Sequence, residues 1–152
     1  MKRLLLFVAV LAGLQGRAQD LKPYFNTDAN GLWVEGYDPV GYLLDNKAEV
    51  GKAEFAVAYK GATFRFVSRA HADLFKKEPE KYAPQYGGYC AYAVGDHNEK
   101  VEVDPETFQV KDGKVFLFYN KYFNNTLKDW KKDETKLHAQ ADKNWATFKH
   151  KK

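Results

Sequence analysis

A chain of 152 residues has room for one domain with a sizeable core, and at 45 % hydrophobic and 16 % aromatic residues it belongs with packed globules rather than disordered chains. The formal charge of +4 includes Lys2, Arg3 and Arg17, and without that N-terminal segment it is +1. So small a balance excludes a general electrostatic case for nucleic-acid binding. The remaining charge is uneven, with 11 basic and 5 acidic side chains in residues 111–152, which reads as a solvated basic helix surface.

Met1-Lys2-Arg3, the apolar run Leu4 to Leu14 and the small residues of Gly16-Arg17-Ala18 have the order of a secretory signal, residues 1–18, with cleavage before Gln19. The run is short for a membrane span and no second one follows, so the expected mature protein is exported, periplasmic or secreted, without stable membrane insertion. Residues 19–31 read as an N-terminal arm and 32–149 as the domain. The single cysteine, Cys90, excludes an internal disulfide. In an oxidising compartment such a thiol is buried, bound to something, reactive, or paired between chains.

Along the domain, Gly36-Tyr37-Asp38-Pro39-Val40 is turn chemistry, and Tyr42-Leu43-Leu44 reads as a short strand. Glu54 to Tyr59 and Thr63 to Val67 alternate about Lys60-Gly61, predicting a β-hairpin. Ser68 is an N-cap for a helix over Arg69 to Lys77, and Pro79 to Tyr82 adds a further turn. Tyr82 to Val94 follows, with Gly87-Gly88, the only cysteine and four tyrosines, a composition suited to a half-buried pocket. Gly95 to Glu106 reads as an exposed loop.

Thr107 to Val110 and Lys114 to Tyr119 flank an Asp112-Gly113 turn and predict a second hairpin. In its second strand Val115, Leu117 and Tyr119 share one face and Phe116 and Phe118 the other, so the strand should be covered on both sides. Asn120 is placed to cap a helix with the stripe Phe123, Leu127, Trp130, and a last helix carries Leu137, Ala141, Trp145 and Phe148. The sequon Asn124-Asn125-Thr126 falls inside the first of these helices and carries no weight. The expected fold class is α+β: a small antiparallel sheet from two hairpins, packed by a short helix and a C-terminal helix pair. Gly-rich phosphate loops, His-Glu-x-x-His and Gly-x-Ser-x-Gly motifs are absent from the sequence.

Tyr37-Asp38-Pro39-Val40, the hairpin ending Phe64-Arg65-Phe66-Val67-Ser68, Leu74-Phe75 and Pro79-Glu80-Lys81-Tyr82 together resemble the YHS domain. Tyr86-Gly-Gly-Tyr-Cys-Ala-Tyr-Ala-Val94 and Val110 to Asn120 extend the likeness to the exported, single-domain bacterial branch of that family, over about residues 31–148. The resemblance implies a metal held by cysteines after Asp-Pro-Val, after the aromatic ending the hairpin, and four residues later. Those positions are Gly41, Val67 and His71 here, so only His71 retains a ligating side chain.

The expected ligand-binding residues are Cys90, Tyr86, Tyr89, Tyr92 and Asp38, and the expected metal set is Cys90, His71 and His97, suited to copper or another soft transition metal. His138 and His150, among lysines, read as solvated. Three functions are consistent with this: a non-catalytic binding module for a metal ion or metal-containing ligand, a redox protein working through the Cys90 thiol, and a structural or protein-interaction domain.

Overall fold

Two tight turns establish the framework of the fold. Lys60-Gly61 and Asp112-Gly113 all have positive φ (46°, 81°, 51° and 71°), the backbone twist that matches paired antiparallel strands. The computed structural model describes residues 22–148 and 150; the expected signal, 1–18, lies outside them. Strand β1 (Lys52–Tyr59) pairs with β2 (Ala62–Phe66), and β3 (Asp104–Lys111) pairs with β4 (Lys114–Phe118).

The class is the α+β arrangement expected. The two hairpins remain separate two-stranded ladders instead of joining edge to edge. Each takes a one-residue parallel partner from elsewhere: Leu32 beside Thr63 on the first, Cys90 beside Leu117 on the second.

Between them, β4 is covered on both sides, as its sequence implies. Val115 and Leu117 face a cluster with Trp33, Val40, Tyr42, Phe64, Phe66 and Phe75. Phe116 and Phe118 face a second cluster with Tyr86, Tyr89, Trp130, Leu137 and Ala141. One strand of five residues thus serves two cores.

The helices fall on the faces of these ladders. Residues 42–44 belong to helix α1 (Pro39–Asp45), not to a strand. Asp38 caps it and Pro39 takes the first helical position, where a missing N–H costs nothing. Helix α2 (Arg69–Lys77) starts at its Ser68 cap and turns Ala72 and Phe75 into the first core, and α3 (Pro79–Tyr82) is the expected single turn. A short hairpin, β5 (Asn120–Lys121) and β6 (Asn124–Asn125), occupies the place expected for a helix start. The cap of α4 (Thr126–Lys132) is Asn125, whose side chain accepts from the Leu127 N–H, so the start falls five residues later than Asn120 predicts. Phe123 therefore leaves the apolar stripe and is exposed at the hairpin tip, while the sequon Asn124 lies on β6. In α5 (Glu134–Thr147), Leu137 and Ala141 point inward and Trp145 is half-buried.

The N-terminal arm and part of the loop expected to be exposed are packed. In the arm, Phe25 and Asn26 are buried, and Asn26 bonds to Gly87 and Gly88. In the loop before β3, residues 96–99 are exposed but Lys100 and Val103 are buried. The Lys100 ammonium donates to the carbonyls of Lys22 (2.7 Å) and Pro23 (3.2 Å) and lies over the rings of Tyr89, Trp145 and Phe148. A buried cation tolerates this site because carbonyl oxygens and ring faces replace its water. The histidines expected in solvent are packed too: His138 against Phe116 and Trp130, His150 against Tyr24 and Trp145.

Candidate functional site

The positions that the resemblance marks for metal ligands converge on one carboxylate. Asp38 is fully buried. Its Oδ1 accepts from the N–H groups of Val40 (2.8 Å) and Gly41 (3.1 Å), and its Oδ2 from the N–H of Val67 (2.9 Å). The imidazole Nδ1 of His71 stands 2.7 Å from the same Oδ2, and since an ionised carboxylate only accepts, Nδ1 carries the proton. On the other side of the ring, Nε2 lies 3.5 Å from Asp45 Oδ2. Gly41, Val67 and His71 have come together, but around a carboxylate that binds the start of α1 to the end of β2 and the first turn of α2.

This donor set does not fit the metal that the resemblance implies. Gly41 and Val67 present only backbone, Asp38 has its oxygens turned to amides, and His71 has one ring nitrogen already engaged. Asp38, expected as a ligand-binding residue, is instead an internal cap and junction. Asp45, the second carboxylate beside His71, was not singled out from the sequence because a strand assignment for residues 42–44 hid its position at the end of α1.

Cys90 belongs to the first core, where its backbone pairs beside Leu117 of β4. Its Sγ accepts from the Tyr119 N–H at 3.4 Å and contacts Thr126 Oγ1 at 3.3 Å. When Thr126 donates its hydroxyl proton to the Tyr119 carbonyl (2.9 Å), the thiol is left as the donor in the sulfur–hydroxyl contact. On loss of the thiol proton the same hydroxyl is placed to turn and donate to sulfur. Cys90 is fully buried, and with Tyr92, His97, Tyr119, Asn124 and Thr126 it lines an open pocket of about 340 Å³. His97 is on the rim, its side chain 55 % exposed, with Asp96 Oδ2 at 3.2 Å from Nδ1 and the Tyr92 ring edge-on beside it. Burial and the Asp96 carboxylate push the Tyr92 phenol upward, so it stays a neutral hydroxyl at the wall.

The three-ligand set Cys90, His71 and His97 does not assemble. Cys90 and His97 line the same pocket, whereas His71 is spent on Asp38, and no group of three or more histidine, cysteine, aspartate or glutamate side chains among the described residues could hold a metal ion. Thr126, Tyr119 and Asn124 are pocket residues that the sequence pattern does not mark, since their convergence depends on a hairpin at 120–125 where the pattern predicts helix.

The tyrosines of the aromatic segment have separate employments. Tyr89 donates to the carbonyls of Pro23 (3.1 Å) and Phe25 (3.3 Å), fixing the arm. Tyr86 donates to Asp142 Oδ1 at 2.9 Å, and burial with that carboxylate beside it drives its hydroxyl far above the usual phenol range. It lines a different cleft, of about 350 Å³, with Tyr24, Tyr59 and Trp145. Only Tyr92 faces Cys90's pocket. The glycine pair between them answers a close approach: Gly87 and Gly88 have φ of 63° and 88°, and a Cβ would strike the Tyr24 carbonyl at the first and the Trp33 indole at the second. The freed Gly87 carbonyl accepts from Trp33 Nε1 (3.0 Å) and the Asn26 N–H (2.9 Å).

Comparison with known families identifies residues 45–86 as a match to the YHS domain. The match takes in the β1–β2 hairpin, α2, α3 and the chain up to Tyr86, and with them His71; Asp38, Gly41 and the Cys90 pocket lie outside it. The YHS domain is a family linked to metal binding. No curated protein and no solved structure matches the chain.

Proposed function

We propose that this YHS-bearing chain is an exported, non-catalytic binding domain that takes a soft metal ion, or a small ligand carrying one, at the Cys90–His97 pocket instead of at the family's cysteine positions. The observation that carries this reading is the pocket itself: the only cysteine of the chain and a half-exposed histidine line it together. Sulfur and imidazole together suit Cu(I), which prefers soft donors and accepts low coordination. The partners of the sulfur are a backbone amide and a threonine hydroxyl, neither of which is a general base, and this favours holding a ligand over activating a nucleophile. Export rests on the order of charges and apolar residues in 1–18.

Cu(I) titration under reducing conditions against a chromogenic chelator tests the site. One equivalent should bind. Cys90→Ser should remove most of the affinity and His97→Ala should weaken it, while His71→Ala should leave it unchanged. Binding displaces the thiol proton, so affinity should fall as the solution is acidified. Full affinity in Cys90→Ser would refute the site, and an N-terminus at Met1 in protein recovered from outside the cytoplasm would refute the processing.

A further inference from the structure

The 120–125 hairpin exposes what a fold ordinarily hides. Its two turn residues, Tyr122 and Phe123, are 89 % and 111 % exposed, the largest exposures among the large hydrophobic side chains of the described residues. Both also have positive φ, 53° and 63°. Asparagine and glycine are the residues that adopt that turn cheaply, and side chains with a Cβ, bulky ones above all, do so rarely. The chain has asparagines within reach, at 120, 124 and 125, and places them on the strands of the ladder instead. Two unfavourable features coincide at one apex, where burial among the described residues does little to offset them.

The base of the hairpin is held firmly. Asn120 donates to Thr107 Oγ1 (3.0 Å), the Thr126 N–H donates to the Tyr119 carbonyl (3.0 Å), and Thr126 Oγ1 donates to that carbonyl as well. The rings are therefore presented on a preorganised stalk.

Charge and area indicate what they meet. Lys121 on the hairpin and Lys128 on α4 are exposed, and residues 119–128 contain no carboxylate; the carboxylates next to the hairpin's base are Asp104, bonded to Thr107, and Glu106 on β3. The flanking Asp129 is engaged by Lys132, and Asp96 at the neighbouring pocket is engaged by His97. The one charge on the hairpin itself is thus the Lys121 ammonium, next to the two rings, and it is complemented by an anionic surface. Two aromatic side chains offer roughly 150–250 Å² each, well below the ~800 Å² per partner of a stable protein interface. The residues beside them, Asn120, Lys121 and Asn124, add no apolar rim. That shape suits penetration into a soft interface, where tyrosine and phenylalanine settle at headgroup depth and nearby lysines meet anionic lipid.

We infer that Tyr122 and Phe123 form a reversible, peripheral anchor to an anionic lipid bilayer. No helix among the described residues is long and apolar enough to cross a membrane, so the contact is one of docking and not of spanning. The anchor stands independently of metal binding at the Cys90 pocket.

Co-sedimentation with large vesicles of phosphatidylcholine containing about one-third phosphatidylglycerol, against vesicles of phosphatidylcholine alone, tests it. The full chain is used throughout and all variants are processed identically, so the N-terminal segment contributes equally. The expected result is preferential partition onto the anionic vesicles, at least tenfold weaker in Tyr122→Ser/Phe123→Ser and several-fold weaker in Lys121→Glu. Both variants should retain the wild-type melting temperature, because neither changes a buried contact. A Tyr122→Trp variant supplies a depth gauge: its added emission should shift to the blue on anionic vesicles and be quenched by lipids brominated along the acyl chain. Equal partition of the double variant, or an apex indole that stays in water, overturns the inference. So does capture of a protein partner by the tip while the anionic vesicles remain unbound.

Discussion

At the junction of α1, β2 and α2, Asp38 and His71 are locked together with three backbone amides on the carboxylate, whereas beside β4 the Cys90 sulfur has two long contacts and the residue lines an open pocket. Both places hold side chains that a metal would accept. In the first, every oxygen of the carboxylate and one nitrogen of the ring are committed to holding elements in position, so the donors have become part of the frame. In the second, the sulfur's partners are an amide and a hydroxyl that can turn, and an imidazole stands on the rim without joining them. The chemistry available to a ligand depends on how much of each donor's bonding capacity the fold has already used.

The largest expected effect comes from breaking the closed junction. Asp38→Ala should destabilise the protein by about 3–5 kcal/mol, because it removes the cap of α1 and leaves buried amide donors and an imidazole without an acceptor. Urea unfolding followed by tryptophan fluorescence measures it. A loss below about 1 kcal/mol, the size of a single exposed contact, would mean that water or rearranged backbone replaces the carboxylate and that the junction is not closed.

His71→Ala should cost less, about 1–3 kcal/mol, since Asp38 keeps its three amide donors and loses only the ring. The same variant sharpens the comparison: thermal melting should fall while Cu(I) affinity at the pocket does not. A drop in affinity with unchanged stability would reverse the roles assigned to the two places.

How much of this was legible in the sequence follows from which signals are local. The Ser68 cap, the Asp112-Gly113 turn and the two-sided alternation of β4 involve residues within a few positions of each other, and the structure bears them out. Asp38-Pro39 was equally local, since an acceptor before a proline is a helix start, but the aromatic and aliphatic run Tyr42-Leu43-Leu44 outweighed it and a strand was expected. The 120–125 hairpin could not be read because its turn residues are aromatic, with none of the glycine that marks such turns, and Phe123 happens to fall in helical phase with Leu127 and Trp130. Within the candidate site, Cys90 and His97 could be chosen by residue type. Their separation from His71 could not, because it depends on Cys90 pairing alongside Leu117 while α2 packs on the other hairpin.

The smallest effect on stability is expected at the rim of the open pocket. His97 is more than half exposed; its neighbours are the Asp96 carboxylate, itself 41 % exposed, and the edge of Tyr92. A pair in that position gives between nothing and about 1 kcal/mol, since water solvates both groups when they part. His97→Ala should therefore move the unfolding midpoint by no more than about 0.5 kcal/mol. Its consequence should appear at the sulfur instead: with the imidazole gone, one wall of the pocket is lowered, and reaction of Cys90 with a disulfide reagent in the native state should quicken. The two readouts together distinguish the open site from the closed one, because removing His71 should change stability and leave the thiol's reaction rate in the native state untouched. If His97→Ala were to destabilise the protein as much as His71→Ala, the rim imidazole would be another structural member, and the pocket above Cys90 would lose its second donor.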